Sequence, residues 1–336
     1  MRTHQRFTCD LSPQVTVVTG KNGSGKTSLI EAIYLALQGT SFRGSDKDIL
    51  QYDSDWWRVD IKTSDGAIRT VKFDPSRATG RKQFIVDEKT SYRLSPAHKY
   101  PVVLFEPDDL RLISGSPSRR RQFIDRLISQ LDPQYGISLR KYERALQQRN
   151  ALLKKHLIPT DDLFVWNVAL GEYGAYIMTK RVQFIEQLNA QLNDAYNAIA
   201  HSKDMVSIHY SDTTIDNTQQ KLMSELHARA DRDKLLGFTS VGPHRHDVVF
   251  RFNNTPATTS ASRGEIRSMI LALKFLEVTM IENATNLPPI ILLDDVFGEL
   301  DNERQLHLAT MFANSQVVIT STAKLSGVHA TKTLSL

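Results

Sequence analysis

Apolar and polar residues follow three patterns along the chain, and each pattern has its own region. Short, largely apolar runs stand near both ends, at residues 15–19, 101–105, 290–293 and 317–320. Such runs are typical of parallel strands that are buried on both faces. Residues with a period of two, rich in β-branched and aromatic side chains, occur at 57–61, 68–73 and 83–87. This alternation predicts antiparallel strands.

The middle of the chain changes to helical spacing. From Ser118 to about Leu236 apolar residues recur every three or four positions, and residues 164–200 predict one long helix or a kinked pair. The apolar stripe of that helix comprises Ile177, Phe184, Ile185, Leu188 and Leu192. Because the stripe lacks successive heptads with charged flanks, it predicts the core of a compact helical lobe rather than a coiled coil.

These patterns predict an α/β fold in which both chain ends build one domain and a helical lobe is inserted between them. We expect residues 1–107 and 239–336 to form the α/β domain, and residues 108–238 to form the lobe.

A glycine-rich segment links the first apolar run to an amphipathic helix. It consists of Gly20, Lys21, Asn22, Gly23, Ser24, Gly25, Lys26, Thr27 and Ser28. In the pattern G-x-x-x-x-G-K-T, glycines let backbone N–H groups converge on phosphate oxygens, and the helix N-terminus adds its positive dipole end. Lys26 is then expected to reach the β- and γ-phosphates of ATP, and the Thr27 hydroxyl to bind Mg²⁺. The alternative is an ordinary glycine-rich turn, but the preceding strand and the following helix favour a nucleotide site.

Two adjacent carboxylates, Asp294 and Asp295, follow the apolar run at 290–293. A carboxylate at the end of a buried strand beside the phosphate loop suits a Mg²⁺ ligand, and we assign this role to Asp294. Asp295 is the candidate general base that orients and deprotonates the attacking water. The alternative is a polar turn in which the two aspartates only cap the strand.

A third segment, Ser262-Arg263-Gly264-Glu265, precedes another predicted helix. A serine and a glycine at a helix N-terminus suit a phosphate group, although S-x-G-E is also an ordinary capping sequence. The order of the three motifs resembles the ATPase domains of the ABC class. In that class the signature loop of one subunit closes over ATP held by the phosphate loop of another.

Charge and composition narrow the functional classes. The 336 residues carry a net charge of +5, which is mild evidence for a polyanionic partner such as nucleic acid. The single cysteine, Cys9, excludes a disulfide framework and a zinc site built from cysteines. Apolar runs are too short to span a bilayer, and the first residues lack a signal-peptide core, so we expect a cytoplasmic protein without membrane association.

Three longer stretches resemble the RecF family of bacterial recombination-mediator ATPases. They are residues 107–125 (PDDLRLISGSPSRRRQFID), 242–247 (GPHRHD) and 293–301 (LDDVFGELD). Together with the phosphate loop, they occur in order along nearly the whole chain.

The resemblance implies an ABC-type P-loop ATPase with ATP and Mg²⁺ as cofactors and with weak ATPase activity. It implies a DNA-binding protein of repair and replication, acting in single-strand gap repair, recombinase loading and SOS induction. Two subunits would enclose ATP, with Ser262, Arg263, Gly264 and Glu265 in the signature loop and Glu299, Leu300 and Asp301 in the D-loop. The implied partners are DNA at junctions of single and double strands, RecR, and RecO where it is present.

The chain departs from the family pattern at three places. Glu265 stands where the family usually has glutamine, which puts an anion near a phosphate. Thr320-Ser321-Thr322 occupies the position at which many ABC ATPases carry a switch histidine, so the γ-phosphate sensor is unassigned. Arg2 is the expected remnant of an N-F-R motif at the family's first strand.

Basic residues at the start of the helical lobe are the candidate DNA contacts. We assign this role to Arg140, Lys141, Arg144 and Arg149, and the alternative is a solvated charged face partly neutralised by Glu143.

Two other classes of ATPase share the ABC motifs. A transporter ATPase needs a surface for coupling helices, and a chromosome-organising ATPase of the SMC type needs a longer, heptadic insertion.

Overall fold

In the computed structural model, the described residues are 1–64, 66–155, 160–211, 218–300, 305, 308, 312, 315–323, 325 and 328–336. The chain divides into two compact units. The first unit comprises Met1–Leu110 with Glu277–Leu336, and the second unit comprises Arg111–Leu276.

The N-terminal part of the first unit contains a helix and several strands. They are β1 (Val15–Thr19), α1 (Lys26–Gln38), β2 (Trp57–Lys62), β3 (Ile68–Phe73), β4 (Lys82–Val86), β5 (Lys89–Ser91) and β6 (Val102–Phe105). The predicted period-two segments thus form strands at the expected places. β5 is too short and too exposed to leave a hydrophobic pattern.

The second unit is mainly helical. Its elements are α2 (Pro117–Leu131), α3 (Pro133–Leu153), α4 (Thr160–Ala200), β7 (Val206–Tyr210), α5 (Thr218–Ala228), α6 (Ala230–Leu236), β8 (Val248–Phe252), β9 (Thr255–Pro256), α7 (Ala257–Ser260) and most of α8 (Arg263–Thr285). The chain returns to the first unit with β10 (Ile290–Asp294), β11 (Val317–Ser321) and β12 (Lys332–Ser335).

A parallel sheet forms the centre of the first unit, with the strand order β12-β1-β11-β10-β6. Val18 of β1, Val318 of β11 and Leu292 of β10 are completely buried, and Val318 pairs with Leu292. The apolar runs from both chain ends therefore meet in one sheet, which confirms the predicted α/β fold. β11 lies between the phosphate-loop strand β1 and the acidic strand β10.

An antiparallel sheet of the same unit has the order β2-β3-β4-β5. Trp57 and Phe73 are buried and their rings stack 5.8 Å apart. The turn between β4 and β5 has Asp87 and Glu88 at φ values of +49° and +63°. Two successive positive φ values are typical of the tight type I′ hairpin turn, whose twist matches that of the strands it joins.

The core of the second unit is organised by α4. This element is a single helix, as one of the two predicted alternatives stated, and Ile177, Leu188 and Leu192 of the predicted stripe are fully buried. β7 was not predicted within the helical region. It pairs antiparallel with β8, so its partner lies about 40 residues later in the sequence, beyond the reach of a local pattern.

The division into units differs from the predicted one for residues 239–276, which were expected in the α/β domain but belong to the second unit. Residues 108–110 were expected in the lobe but belong to the first unit. The strand β8 pairs with β7, and Asp247 accepts hydrogen bonds from Arg120 of α2. Both contacts lie within the second unit. In the described residues no helix is both long enough and apolar enough to cross a membrane.

Candidate nucleotide-binding site

The phosphate loop joins β1 to α1 in the first unit. Gly23 and Gly25 have φ values of +83° and +98°, a left-handed conformation that glycine adopts without steric cost. Gly25 is the N-cap residue of α1, and no side chain caps this helix end. The N–H groups of the first helical turn have no acceptor within the helix, so they are suited to receive an anion.

Two side chains of the loop complete this arrangement. Lys26 is buried, and its Nζ donates hydrogen bonds to the carbonyl oxygens of Gly20 (2.7 Å) and Lys21 (3.0 Å). Ser24 Oγ is buried and has no hydrogen-bond partner among the described residues. A buried hydroxyl without a partner is costly unless a ligand or water satisfies it. The loop therefore suits a phosphate group.

Asp294, at the end of β10, is the centre of a hydrogen-bonded cluster. Its Oδ1 accepts hydrogen bonds from Thr27 Oγ1 (3.1 Å) and Thr320 Oγ1 (2.8 Å). Burial raises the pKa of the Asp294 carboxyl, and the two hydroxyl donors act in the opposite direction. The phosphate loop and the end of the acidic strand thus lie side by side, and Thr320 joins them although no role was assigned to it.

The residues present fit a magnesium ion bound together with a nucleotide. One hydroxyl and one carboxylate, Thr27 and Asp294, lie side by side. In the described part of the chain, no group of three or more His, Cys, Asp or Glu side chains could hold a metal. Mg²⁺ prefers few protein ligands, with phosphates and water completing its shell.

Asp295 follows in a left-handed conformation, with a φ value of +55°. Its backbone N–H donates to Thr320 Oγ1 (2.9 Å) and to the Thr320 carbonyl oxygen (3.2 Å). A positive φ is uncommon for a residue with a side chain, and such residues cluster at functional sites. The residue is half-buried.

The first residues of the chain lie against the phosphate loop. Arg2 forms an ion pair with the fully buried Glu31 of α1. Thr3 Oγ1 donates to Ser28 Oγ (3.3 Å), and His4 Nε2 lies 3.2 Å from the Gly25 carbonyl oxygen. A Cβ atom on Gly25 would overlap the His4 ring. Sequence reasoning identified Arg2 only as a motif remnant and did not predict these contacts.

The predicted signature residues belong to the second unit, at the start of α8. The Ser262 N–H donates to Glu265 Oε2 (2.6 Å), and the Glu265 N–H donates to Ser262 Oγ (3.3 Å). This reciprocal pair is a capping box. Ser262 and Arg263 are exposed, and Gly264 is half-buried.

The predicted D-loop residues lie in the first unit after β10. A 3-10 turn covers Phe297–Glu299, and Leu300 is buried. Gln305 Nε2 donates to the carbonyl oxygens of Phe297 (2.7 Å) and Leu300 (3.0 Å) and so fixes the turn. Asp301 lies outside the described residues.

The four candidate DNA contacts on α3 separate into two groups. Arg140, Lys141 and Arg144 are exposed. Arg149 is fully buried and donates to Asn167 Oδ1, Asp233 Oδ2, Thr239 Oγ1 and the Leu226 carbonyl oxygen. The prediction that Arg149 contacts DNA is therefore wrong, because its guanidinium is enclosed by the protein and bonded to an equally buried carboxylate.

Other motif residues of the second unit also form hydrogen bonds within the protein. Arg120 forms two hydrogen bonds with Asp247 (2.9 and 2.7 Å), and Arg181 forms two with Asp125 (2.9 and 2.8 Å). His244 Nδ1 lies 2.6 Å from the Tyr142 hydroxyl, and burial lowers the pKa of His244 to about 4. No spacing rule distinguishes these buried charges from solvent-facing ones, so sequence reasoning missed their role.

Comparisons with known proteins cover nearly the entire chain. A family model described as AAA domain matches residues 1–235. The DNA replication and repair protein RecF of Streptococcus equi subsp. equi (strain 4047) is 36% identical over 334 residues, which cover 96% of this chain and 89% of that protein. The protein of the same name from Clostridium perfringens (strain SM101 / Type A) is 32% identical over 327 residues, with 96% and 90% covered.

Two solved structures have the same fold across this length. The recombination mediator protein RecF-ATPrS in the RecFOR pathway matches with a TM-score of 0.87 and 28% identity, covering 100% of this chain and 93% of that one. The structure of RecF-ATP in the same pathway matches with a TM-score of 0.86 and 29% identity, covering 99% and 92%. The predicted ABC-type P-loop ATPase fold is confirmed.

Proposed function

Since this chain belongs to the RecF family, it is a DNA replication and repair protein with a recombination-mediator role, and we propose that ATP bound at the phosphate loop drives that role. The observation that carries the proposal is the cluster of Thr27, Asp294 and the uncapped N-terminus of α1. The two solved relatives are named as RecF-ATPrS and RecF-ATP, which supports ATP as the nucleotide here.

Each residue of the cluster has a distinct task. The α1 N-terminus and the backbone N–H groups of residues 20–28 bind phosphate oxygens, and Lys26 neutralises the β- and γ-phosphates. Thr27 and Asp294 are the residues that would hold Mg²⁺, which supplies charge neutralisation at the phosphates when it is bound. Asp295 orients the attacking water and accepts its proton.

We further propose that two subunits enclose ATP. One chain carries one phosphate loop and one signature segment, and in ABC-class machines these come from opposite subunits. Ser262 and Gly264 then contact the nucleotide held by the partner subunit, and residues 299–301 lie at the subunit interface.

The exposed Arg140, Lys141 and Arg144 bind DNA phosphates. RecR and RecO are the proposed protein partners, as the RecFOR pathway in the relatives' names suggests.

The nucleotide assignment is tested by replacing Lys26 with Ala. Lys26 is expected to donate charged hydrogen bonds to phosphate, so its loss should weaken Mg²⁺-ATP binding about 10- to 100-fold, measured by calorimetric titration. Lys21→Ala is the matched control, because Lys21 is an exposed lysine of the same loop. It should bind ATP within about twofold of the parent. Parental affinity in a folded Lys26→Ala variant would contradict the phosphate-loop assignment.

The dimer is tested by light scattering with and without Mg²⁺-ATP. The parent should double its molar mass when ATP is added. Ser262→Arg should still bind ATP but stay monomeric, because the arginine side chain obstructs the signature loop while the phosphate loop is unchanged. A normal ATP-dependent dimer in this variant would rule out the enclosed-nucleotide arrangement.

The transporter alternative receives no support, since the relatives that match 96% of the chain are replication and repair proteins.

A further inference from the structure

Thr320 lies at the end of β11, between the phosphate-loop strand and the acidic strand. It is fully buried, and in the β10–β11 register it stands directly opposite Asp294. No role follows for it from the sequence motifs, because this chain has Thr320-Ser321-Thr322 where many ABC ATPases carry a switch histidine.

The Thr320 hydroxyl uses both of its hydrogen-bonding capacities on the two aspartates. It donates to Asp294 Oδ1 (2.8 Å) and accepts from the Asp295 N–H (2.9 Å). A second possible acceptor, the Leu293 carbonyl oxygen, is farther away at 3.4 Å. One side chain therefore fixes the carboxylate of the first aspartate and the left-handed backbone of the second.

We propose that Thr320 is a positioning residue that orients Asp294 toward Mg²⁺ and holds the Asp294-Asp295 pair in its working geometry. This inference rests on the proposed function, because it concerns the metal that accompanies ATP.

Asp294 Oδ1 receives one hydrogen bond from Thr27 and one from Thr320. The Thr27 hydroxyl is the proposed metal ligand, so it would bind Mg²⁺ through an oxygen lone pair while its proton still donates to Asp294. Thr320 is fully buried and is not a proposed metal ligand, so its hydroxyl serves only to hold the two aspartates. Loss of the Thr320 hydroxyl should therefore weaken Mg²⁺ binding although every proposed metal ligand is kept.

Partners of metal ligands have a measurable effect on affinity. Replacing a residue that hydrogen-bonds a metal ligand typically weakens metal binding 10- to 100-fold, because the ligand is no longer pre-oriented. Thr320→Val keeps the shape of the side chain and removes the hydroxyl. Thr320→Ser keeps the hydroxyl, and Thr320→Cys keeps only a weak donor and acceptor.

The experiment titrates Mg²⁺ into the full chain with a fluorescent ATP analogue and records the Mg²⁺ concentration at half-maximal binding. Thr320→Val should need about 10- to 100-fold more Mg²⁺ than the parent for half-maximal binding. Thr320→Ser should need close to the parental concentration, and Thr320→Cys a concentration between those of the other two variants. Thermal unfolding is measured in parallel.

Thr16→Val is the matched control for a purely structural effect. Thr16 is a fully buried threonine of β1 in the same sheet, and its Oγ1 accepts a hydrogen bond from the Ser12 N–H (2.8 Å). Its loss should lower the unfolding temperature while the Mg²⁺ dependence stays parental.

The outcomes separate this inference from the proposed function. If the parent does not bind the analogue with Mg²⁺, the nucleotide assignment itself is wrong. Two results would show that Thr320 has no positioning role when the parent binds the analogue. In the first, Thr320→Val shows the parental Mg²⁺ dependence. In the second, Thr320→Ser needs as much Mg²⁺ as Thr320→Val. Should Thr320→Val not fold, the comparison of Thr320→Ser with Thr320→Cys decides, and equal Mg²⁺ dependence of the two contradicts the inference.

Discussion

The two units use their polar side chains in opposite ways. In the first unit, Thr27 and Thr320 both donate to Asp294 Oδ1, while Ser24 Oγ is buried without a partner among the described residues, beside an uncapped helix end. In the second unit, Arg149 and Arg181 are buried and bonded to several acceptors at once. The first arrangement leaves hydrogen-bonding capacity for a ligand, and the second consumes it within the protein. A charged residue in a motif serves a ligand only in the former case.

The same contrast exists within one helix. Arg140, Lys141, Arg144 and Arg149 all lie on α3, and only Arg149 points into the core. Arg149 follows Arg144 by five positions, so the two do not share a helix face. Substitutions at buried and exposed positions test this division.

Replacing Arg149 with Leu should have the largest effect on stability. It leaves the Asp233 carboxylate, which is fully buried, without its ion-pair partner. Breaking a buried pair by removing one member costs about 3–5 kcal/mol in unfolding free energy. Urea unfolding measures this loss. Arg144→Leu is the control on the same helix, and its exposed side chain should change stability by about 0.5 kcal/mol or less. Equal losses for the two variants would remove the distinction between buried and exposed arginines.

The half-buried His244 of the second unit predicts a pH dependence. The pKa of His244 is lowered by burial to about 4, whereas an unfolded histidine has a pKa of about 6.5. The unfolded chain therefore binds the proton first as the pH falls. The stability due to neutral His244 is complete above pH 6.5 and is lost progressively between pH 6.5 and 4, by up to about 3 kcal/mol.

This pH dependence is measured by urea unfolding at several pH values. His244→Gln should flatten the curve, since glutamine does not titrate and its amide can donate to the Thr239 carbonyl oxygen in place of His244 Nε2. If the variant keeps the slope of the parent between pH 6.5 and 4, other groups cause it.

The exposed basic residues of α3 predict a moderate effect on DNA binding. The triple change of Arg140, Lys141 and Arg144 to Ala should lower affinity for gapped DNA and reduce the slope of log K against log salt by up to about 3, because each duplex phosphate contact contributes about 0.9. ATP binding should be unchanged. A matched triple variant, Lys62, Lys89 and Arg93 to Ala, removes three exposed cations of the first unit. If it has the larger effect, the DNA contacts the first unit instead.

Sequence reasoning recovered the first unit better than the second for a physical reason. The phosphate loop and the Asp294-Asp295 pair are local patterns joined to buried strands, and burial on both faces leaves an apolar run that is visible in the sequence. Arg149, Arg181 and β7 depend on partners 18 to 90 residues away in the chain, as the Arg149 bonds to Asn167 and Thr239 illustrate. Thr320 belongs to the last predicted strand, but only the strand order and register place it beside Asp294.

Glu265 offers the smallest and most specific test, because its carboxylate caps a helix of the second unit and also belongs to the proposed signature loop. Its carboxylate closes the capping box with Ser262. In the ATP-bound dimer the same negative charge would lie near the phosphates held by the partner subunit. Glu265→Gln keeps an acceptor for the Ser262 N–H and removes the charge.

Two unit charges about 4 Å apart in water interact by about 1 kcal/mol, so Glu265→Gln should tighten the Mg²⁺-ATP dimer about fivefold. Glu265→Ala removes the charge and the cap together, and loss of an N-terminal cap costs about 1 kcal/mol of helix stability. Its dimer should therefore be weaker than that of the Gln variant, although both lack the anion. Sedimentation at a series of protein concentrations measures the dimer constant for all three chains. A Gln variant that dimerises no better than the parent would mean that Glu265 acts only as a helix cap.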